Sequence, residues 1–130
     1  MNLFLVTSAI NTNYSNFSVE ERLQQTLATA KSIKQYAPNS KIVLVEGGKP
    51  IGNNIKSILL TEYDNVFDFT QHDVIKYGQS PEHLAYDSIG HTVKSPCEAY
   101  LLSEACKIIT GNFDRIFKLS GRYLLTEKFN

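Results

Sequence analysis

The sequence predicts an α/β fold, a three-layer sandwich around a mostly parallel sheet, and three observations carry that expectation. An apolar run, Leu3 to Ile10, is followed by a helix with a start signal and an apolar stripe, and then by a second apolar run, Lys41 to Glu46. Strand, helix and strand in that order make a βαβ unit, whose strands are parallel and whose crossover is right-handed. Towards the other end a second helix with its own start signal leads into a further strand, Arg115 to Leu119, so the alternation repeats.

Each element has a local reason. Leu3-Phe4-Leu5-Val6-Thr7-Ser8-Ala9-Ile10 has the length and composition of a buried strand. Asn11 to Phe17 is dense in Asn and Ser and reads as a loop. Ser18 and Glu21 then form a capping box, in which each side chain answers a free backbone donor of the other. Val19, Leu23, Leu27, Ala30, Ile33 and Ala37 recur at spacings of three and four, one face of a helix that Pro38 stops. Gly47-Gly48 closes the second strand. Ile55 to Thr61 reads as a short third strand and Val66 to Phe69 as another extended piece. Residues 71–92 hold three His, two Gly and one Pro without a sustained period, which predicts irregular chain with one short helix. Ser95-Pro96-Cys97-Glu98 is a second capping box, with Pro96 where its missing donor is harmless. Leu102, Ala105, Cys106 and Ile109 make the expected buried stripe, flanked by Leu101 and Ile108, and Gly111 ends that helix.

Composition narrows the function classes. A chain of 130 residues with 42% apolar residues suits one folded domain, residues 1–130. Thirteen basic residues balance thirteen acidic ones, so no broad positive surface exists to drive binding to nucleic acid. No apolar run approaches the ~20 residues of a membrane span, and Met1 to Val6 lacks the basic and apolar regions of a signal peptide. A cytoplasmic protein is the expectation, with its oligomeric state left open. Cys97 and Cys106 lie nine residues apart, on opposite faces of one helix, and read as reduced packing residues.

In an open parallel sheet, ligands bind beyond the carboxyl ends of the strands, where helix N-termini also point. Four segments converge there: Thr7 to Asn11, Glu46 to Lys49, Lys94 to Glu98, and Ser120 to Tyr123. Arg22 stands in the first turn of the first helix, where a cation opposes the helix dipole unless an anion is near. It either pairs with a surface Glu or binds phosphate. Ser120-Gly121-Arg122-Tyr123 adds a backbone turn suited to glycine, a guanidinium fork that grips phosphate or carboxylate, and a ring for stacking. Other chemistry has less support. His72, His83 and His91 with Asp73, Glu82 and Asp87 match no metal-ligand spacing and read as loop residues. Gly47-Gly48-Lys49 lacks the spacing of a dinucleotide fingerprint or a P-loop, and neither Ser8 nor Ser120 stands in a nucleophile elbow.

Glu21-Arg22-Leu23-Gln24-Gln25-Thr26-Leu27 with Thr29, Ser32-Ile33 and Pro38, followed by Ile42-Val43-Leu44-Val45-Glu46-Gly47, resembles the start of viral and bacterial glycosyltransferase-like proteins. Lys118-Leu119-Ser120-Gly121-Arg122-Tyr123 is similar to their "K-[IL]-SGRY" segment, and Lys94-Ser95-Pro96 with Glu98 to the helix start before it. The resemblance spans most of the chain. It implies a GT-A-like nucleotide-diphospho-sugar fold, here its N-terminal nucleotide-binding half, and glycosyl transfer from a nucleotide sugar to a glycan or other acceptor. Thr7 and Ser8 would approach the base or ribose, Arg22 the phosphates, and Arg122 with Lys118 would offset diphosphate charge. Glu98 and Tyr123 fall to the sugar or acceptor, and Glu46, Lys94, Ser120 and Gly121 complete the substrate-binding set.

Two departures qualify that implication. GT-A enzymes usually carry an Asp-x-Asp that holds a divalent metal against the diphosphate, and none is present. Glu62-Tyr63-Asp64 is the nearest carboxylate pair and reads as a solvated turn, so no metal or other cofactor is expected. The chain also lacks a second, acceptor-binding half, and no residue stands out as catalytic base. The rival expectation is a non-catalytic α/β module that binds a nucleotide, a glycan or a protein.

Overall fold

The computed structural model describes residues 1–13, 16–79 and 94–129, with the backbone alone at residues 94–96. Its strands are β1 (Asn2–Ser8), β2 (Ser40–Glu46), β3 (Asn65–Asp68) and β4 (Ile116–Ser120), and all pair parallel in the order β3-β2-β1-β4. Among the described residues the helices are α1 (Val19–Tyr36), α2 (Asn53–Leu59), α3 (Asp73–Gly78) and α4 (Lys94–Ile108).

Strand alternation sorts the core into two layers. Phe4, Val6, Ile42 and Leu44 point to one face of the sheet and pack with Leu23, Leu27, Ala30 and Ile33 of α1 and Leu59 of α2. Leu3, Leu5, Val43 and Val45 point to the other and pack with Ile75 of α3 and with Leu101 and Ala105 of α4. The topology explains why both faces are covered. From β1 the chain moves one way to β2 and β3, then returns to place β4 on the far side of β1. Right-handed crossovers running in opposite directions across one sheet put their helices on opposite faces.

Several local expectations need correction. Residues 55–61 form no strand, because α2 covers Asn53–Leu59 and residues 60–62 turn. Ile55, Ile58 and Leu59 have helical spacing, and two parallel neighbours such as β2 and β3 require a crossover between them. The first strand stops at Ser8, and Ile10 is buried from the loop beyond it. On α1, Val19 is exposed while Thr26, Thr29 and Ser32 are buried. Their hydroxyls make this possible: Thr29 Oγ1 donates to the Tyr123 carbonyl at 2.8 Å, and Ser32 Oγ accepts from Leu125 N at 2.9 Å. The chain after β4 therefore lies back over α1, and Phe129 reaches the rings of Phe4 and Phe117. On α4 the buried pair is Leu101 and Ala105, while Cys106 and Ile108 face out. Cys97 is partly buried, and both thiols are free. The α4 start is at Lys94, one residue before Ser95, and the side chains of its expected capping box lie outside the described residues.

Candidate functional site

The strand order reverses between β1 and β4, so the crevice beyond their carboxyl ends is the topological switch point of the sheet. A cavity of about 410 Å³ opens there. Thr7 and Ser8 from the end of β1, and Ser120 at the end of β4 with Gly121 and Arg122 after it, form one side of it. Arg22 and Thr26 of α1 and Cys97, Glu98 and Leu101 of α4 close it from opposite faces.

Glycines let these segments meet. A Cβ on Gly121 would stand 3.2 Å from Thr26 Oγ1, 3.3 Å from the Thr7 carbonyl and 3.4 Å from Ser8 Cβ. Gly121 N donates to that Thr7 carbonyl at 2.8 Å. The glycine is required for close approach and not, as expected, for a special turn, since among the described residues only Gly111 has positive φ. Gly48 is confined likewise, by the Asn11 carbonyl and Ala9 Cα.

Beneath the cavity lies Glu46, with no exposure. Its Oε1 accepts from Ile10 N at 3.0 Å and Gly48 N at 3.2 Å, and its Oε2 accepts from Ser8 Oγ. The carboxylate thus ties the loop after β1 to the loop after β2. Burial pushes its pKa up to about 7, against the pull of the three donors, and the charge of Asp68 adds to the rise. Glu46 itself does not line the cavity, whereas Ser8 and Ile10, to which it is bonded, do.

Glu98 behaves in the opposite way. Burial acts to raise it, but hydrogen bonds from Lys118 and Thr7, with the charges of Lys118 and Arg122, hold it below the ordinary carboxylate value. Lys118 Nζ lies 2.5 Å and Thr7 Oγ1 2.8 Å from its Oε1. Lys118 is therefore an exposed lysine that does not line the cavity, and it acts on the site through Glu98. The carboxylate stays ionised at neutral pH and is a poor proton acceptor.

The two guanidinium groups are the distinctive feature. Arg22 Nε is buried and has no hydrogen-bond partner among the described residues. A buried donor left unmade costs about 1–3 kcal/mol. Burial first, then the like charge of Arg122, pushes the Arg22 pKa down, and the Glu46 carboxylate opposes them. Arg22 thus pairs with no Glu side chain among the described residues. Arg122 is exposed and makes no hydrogen bond or ion pair among the described residues. Two mutually repelling cations lining one cavity, one with an orphan donor, have the donors and the charge to hold an anion with several oxygens.

Other expected positions fall elsewhere. Tyr123 is 60% exposed and off the cavity wall, because its carbonyl is drawn to Thr29. The Lys94 side chain and residues His83, His91, Glu82 and Asp87 lie outside the described residues. His72 Nδ1 is 3.0 Å from Tyr100 OH, with its ring against Phe69. Asp64 Oδ2 accepts from Ile42 N at 2.7 Å, at the opposite end of the sheet, so the Glu62-Tyr63-Asp64 segment is structural. Among the described residues no three His, Cys, Asp or Glu side chains gather to hold a metal ion. None of the described helices is long and apolar enough to cross a membrane.

Some wall residues had not been singled out. Thr26 follows Arg22 by four positions, a spacing that puts both on one helical face and could have marked it. Gln79, whose Oε1 accepts from Thr12 Oγ1 at 3.2 Å and Asn13 N at 3.1 Å, had no local signal, since its partners lie 66 and 67 residues away. No family model, no curated protein and no solved structure matches the chain.

Proposed function

We propose that the cavity at the β1/β4 switch point binds a nucleotide-activated sugar, and that the chain is the donor-binding part of a glycosyltransferase of GT-A-like fold. The observation that carries this reading is that Arg22, whose buried Nε has no hydrogen-bond partner among the described residues, and Arg122 line the same cavity. A diphosphate offers oxygens to both groups, and their two charges take the neutralising role that a metal plays in related chemistry. The volume lies within the ~300–1,000 Å³ range of small-molecule sites. Glu98, held ionised, is an acceptor for a ribose or sugar hydroxyl.

The poor basicity of Glu98 favours a second reading at the level of chemistry, in which the chain binds the nucleotide sugar and leaves it intact. Thermal unfolding with UDP, GDP, CMP and their sugars, with and without Mn²⁺, tests the binding step common to both. At a hundred times Kd a ligand adds ~2.7 kcal/mol to stability. Stabilisation by at least one nucleoside diphosphate or its sugar is expected, and its absence across the panel overturns the reading. Incubation of the bound sugar with candidate acceptors then separates a transferase from a binding module.

A further inference from the structure

We propose that the cavity takes up its dianionic ligand together with a proton, which Glu46 receives and which turns the Ser8 hydroxyl towards the ligand. The inference rests on the diphosphate reading above and assigns a regulation to the same site.

The geometry points there because Glu46 is a carboxylate with no exposure that touches the cavity wall from behind. Its Oε2 is bonded to Ser8 Oγ, and its Oε1 to the backbone of Ile10, both on the wall. While Glu46 is ionised, Ser8 must spend its only proton on Oε2, because a carboxylate can only accept. The ligand then meets a hydroxyl that presents lone pairs and, behind it, a negative charge in a poorly screened interior. Glu46 and the ligand also compete for one cation, since the Glu46 charge already acts on Arg22.

Protonation at Oε2 reverses the bond. Glu46 now donates to Ser8 Oγ, and the Ser8 proton is free to point into the cavity and donate to a phosphate oxygen. Oε1 keeps both backbone donors, so neither loop has to move. The proton comes from solvent, and no covalent bond between heavy atoms is made or broken.

The charged and titratable neighbours of Glu46 agree with this role. Asp68 of β3 raises it, although Asp68 is itself paired with Lys56 of α2 at 2.6 Å. Arg22 is the cation on the α1 side, and Tyr63, before β3, feels the Glu46 charge. The loop after β2 meets α4 at Leu101, an apolar contact. Burial places the Glu46 titration at about 7, so the proton is exchangeable near neutrality.

The test is calorimetric titration of wild type and Glu46→Gln with UDP-glucose, GDP-mannose and sulfate between pH 6 and 8.5. None of these probes changes its own charge over that range. Repeating each titration in buffers of different ionisation heat counts the protons taken up. Glutamine keeps an oxygen for Ile10 and Gly48 and donates to Ser8, as the neutral acid would. For wild type, affinity is expected to fall about tenfold across the range, the effect of a one-unit rise of the Glu46 pKa on binding, with proton uptake near pH 7. Glu46→Gln should keep the pH 6 affinity throughout and take up no proton. Equal pH slopes in the two proteins, or binding to wild type without proton uptake, overturn the linkage and leave the anion site standing. Failure of all three probes to bind either protein at pH 6 overturns the anion site, and the linkage with it. Proton uptake by wild type alone still decides the matter if the variant does not fold.

Discussion

The two ends of the sheet treat charge differently. At the amino ends of the strands, the acidic groups are matched within the protein, while Lys41 and Arg115 carry no ion pair among the described residues and line no part of the cavity. The Met1 ammonium meets Asp114 at 2.6 Å, Asp64 accepts from Ile42 N, and Lys34 meets Glu62 at 2.8 Å. At the carboxyl ends, Glu98 is matched by Lys118 and Glu46 by three donors, yet Arg22 and Arg122 have no partner among the described residues. Folding alone gives no reason to keep two repelling guanidinium groups beside a cavity, one of them partly buried. The difference separates charges matched within the fold from two cavity-lining cations that are not, and each prediction below can break or sharpen it.

The largest effect is expected at Glu46, the group whose role is shared between fold and site. Glu46→Ala leaves two backbone N–H groups and the Ser8 hydroxyl without their acceptor. It should cost about 3 kcal/mol or more in urea unfolding, against a much smaller loss for Glu46→Gln. The pH dependence has a defined sign. Its folded pKa of about 7 lies above the ordinary 4.5, so the native state holds more protons between those values. Stability from this group is therefore full below about 4.5 and lost as pH rises through 7, a slope that Glu46→Gln should abolish. Glu98, depressed in the folded protein, acts in the opposite sense, its contribution being lost as pH falls below the ordinary carboxylate value. If Glu46→Ala unfolds no more easily than wild type, the carboxylate does not tie the loops.

The arginines come next, with ligand binding as the readout. Arg122→Ala and Arg22→Met should each weaken binding of a nucleoside diphosphate by about tenfold or more, since a charge-assisted bond is worth roughly 1.5–3 kcal/mol. The unliganded protein should change little: an exposed residue without partners contributes within ~0.5 kcal/mol, and Arg22→Met removes an orphan buried donor. A variant that binds normally but melts early would move that arginine to the structural class.

How much of this could be read from the chain follows from the range of the interactions. β1, α1 and β2 were legible because Ser18, Glu21, Pro38 and the apolar spacings act within a few residues. The convergence of Thr7, Arg22, Glu98 and Arg122 was legible through topology, since parallel strands send their carboxyl ends to one edge. Glu46 was placed at the correct edge, but its complete burial was not legible, because it depends on Gly48 letting the chain pass close to Ala9 and Asn11. The partnership of Lys118 with Glu98 was not legible, as strand alternation gives a face but not what stands on it. Residues 55–61 misled because two isoleucines and two leucines in a short run fit strand and helix alike.

The smallest effect belongs to the Lys34–Glu62 pair at the amino end. Its side chains are 49% and 21% exposed, so water screens the attraction, and fixing a long lysine side chain costs entropy. Lys34→Met should change stability by no more than about 0.5 kcal/mol, and a double-mutant cycle with Glu62→Gln should give a coupling that fades at high salt. The same cycle on Lys118 and Glu98 gives the sharper contrast, because that pair includes a hydrogen bond from Thr7 and stands beside Arg122. Its coupling should depend on bound diphosphate, which would draw Arg122 away from Glu98. A coupling at Lys34–Glu62 that also responded to the nucleotide would mean that the two ends of the sheet are not independent, and matched charge would no longer mark off the structural end.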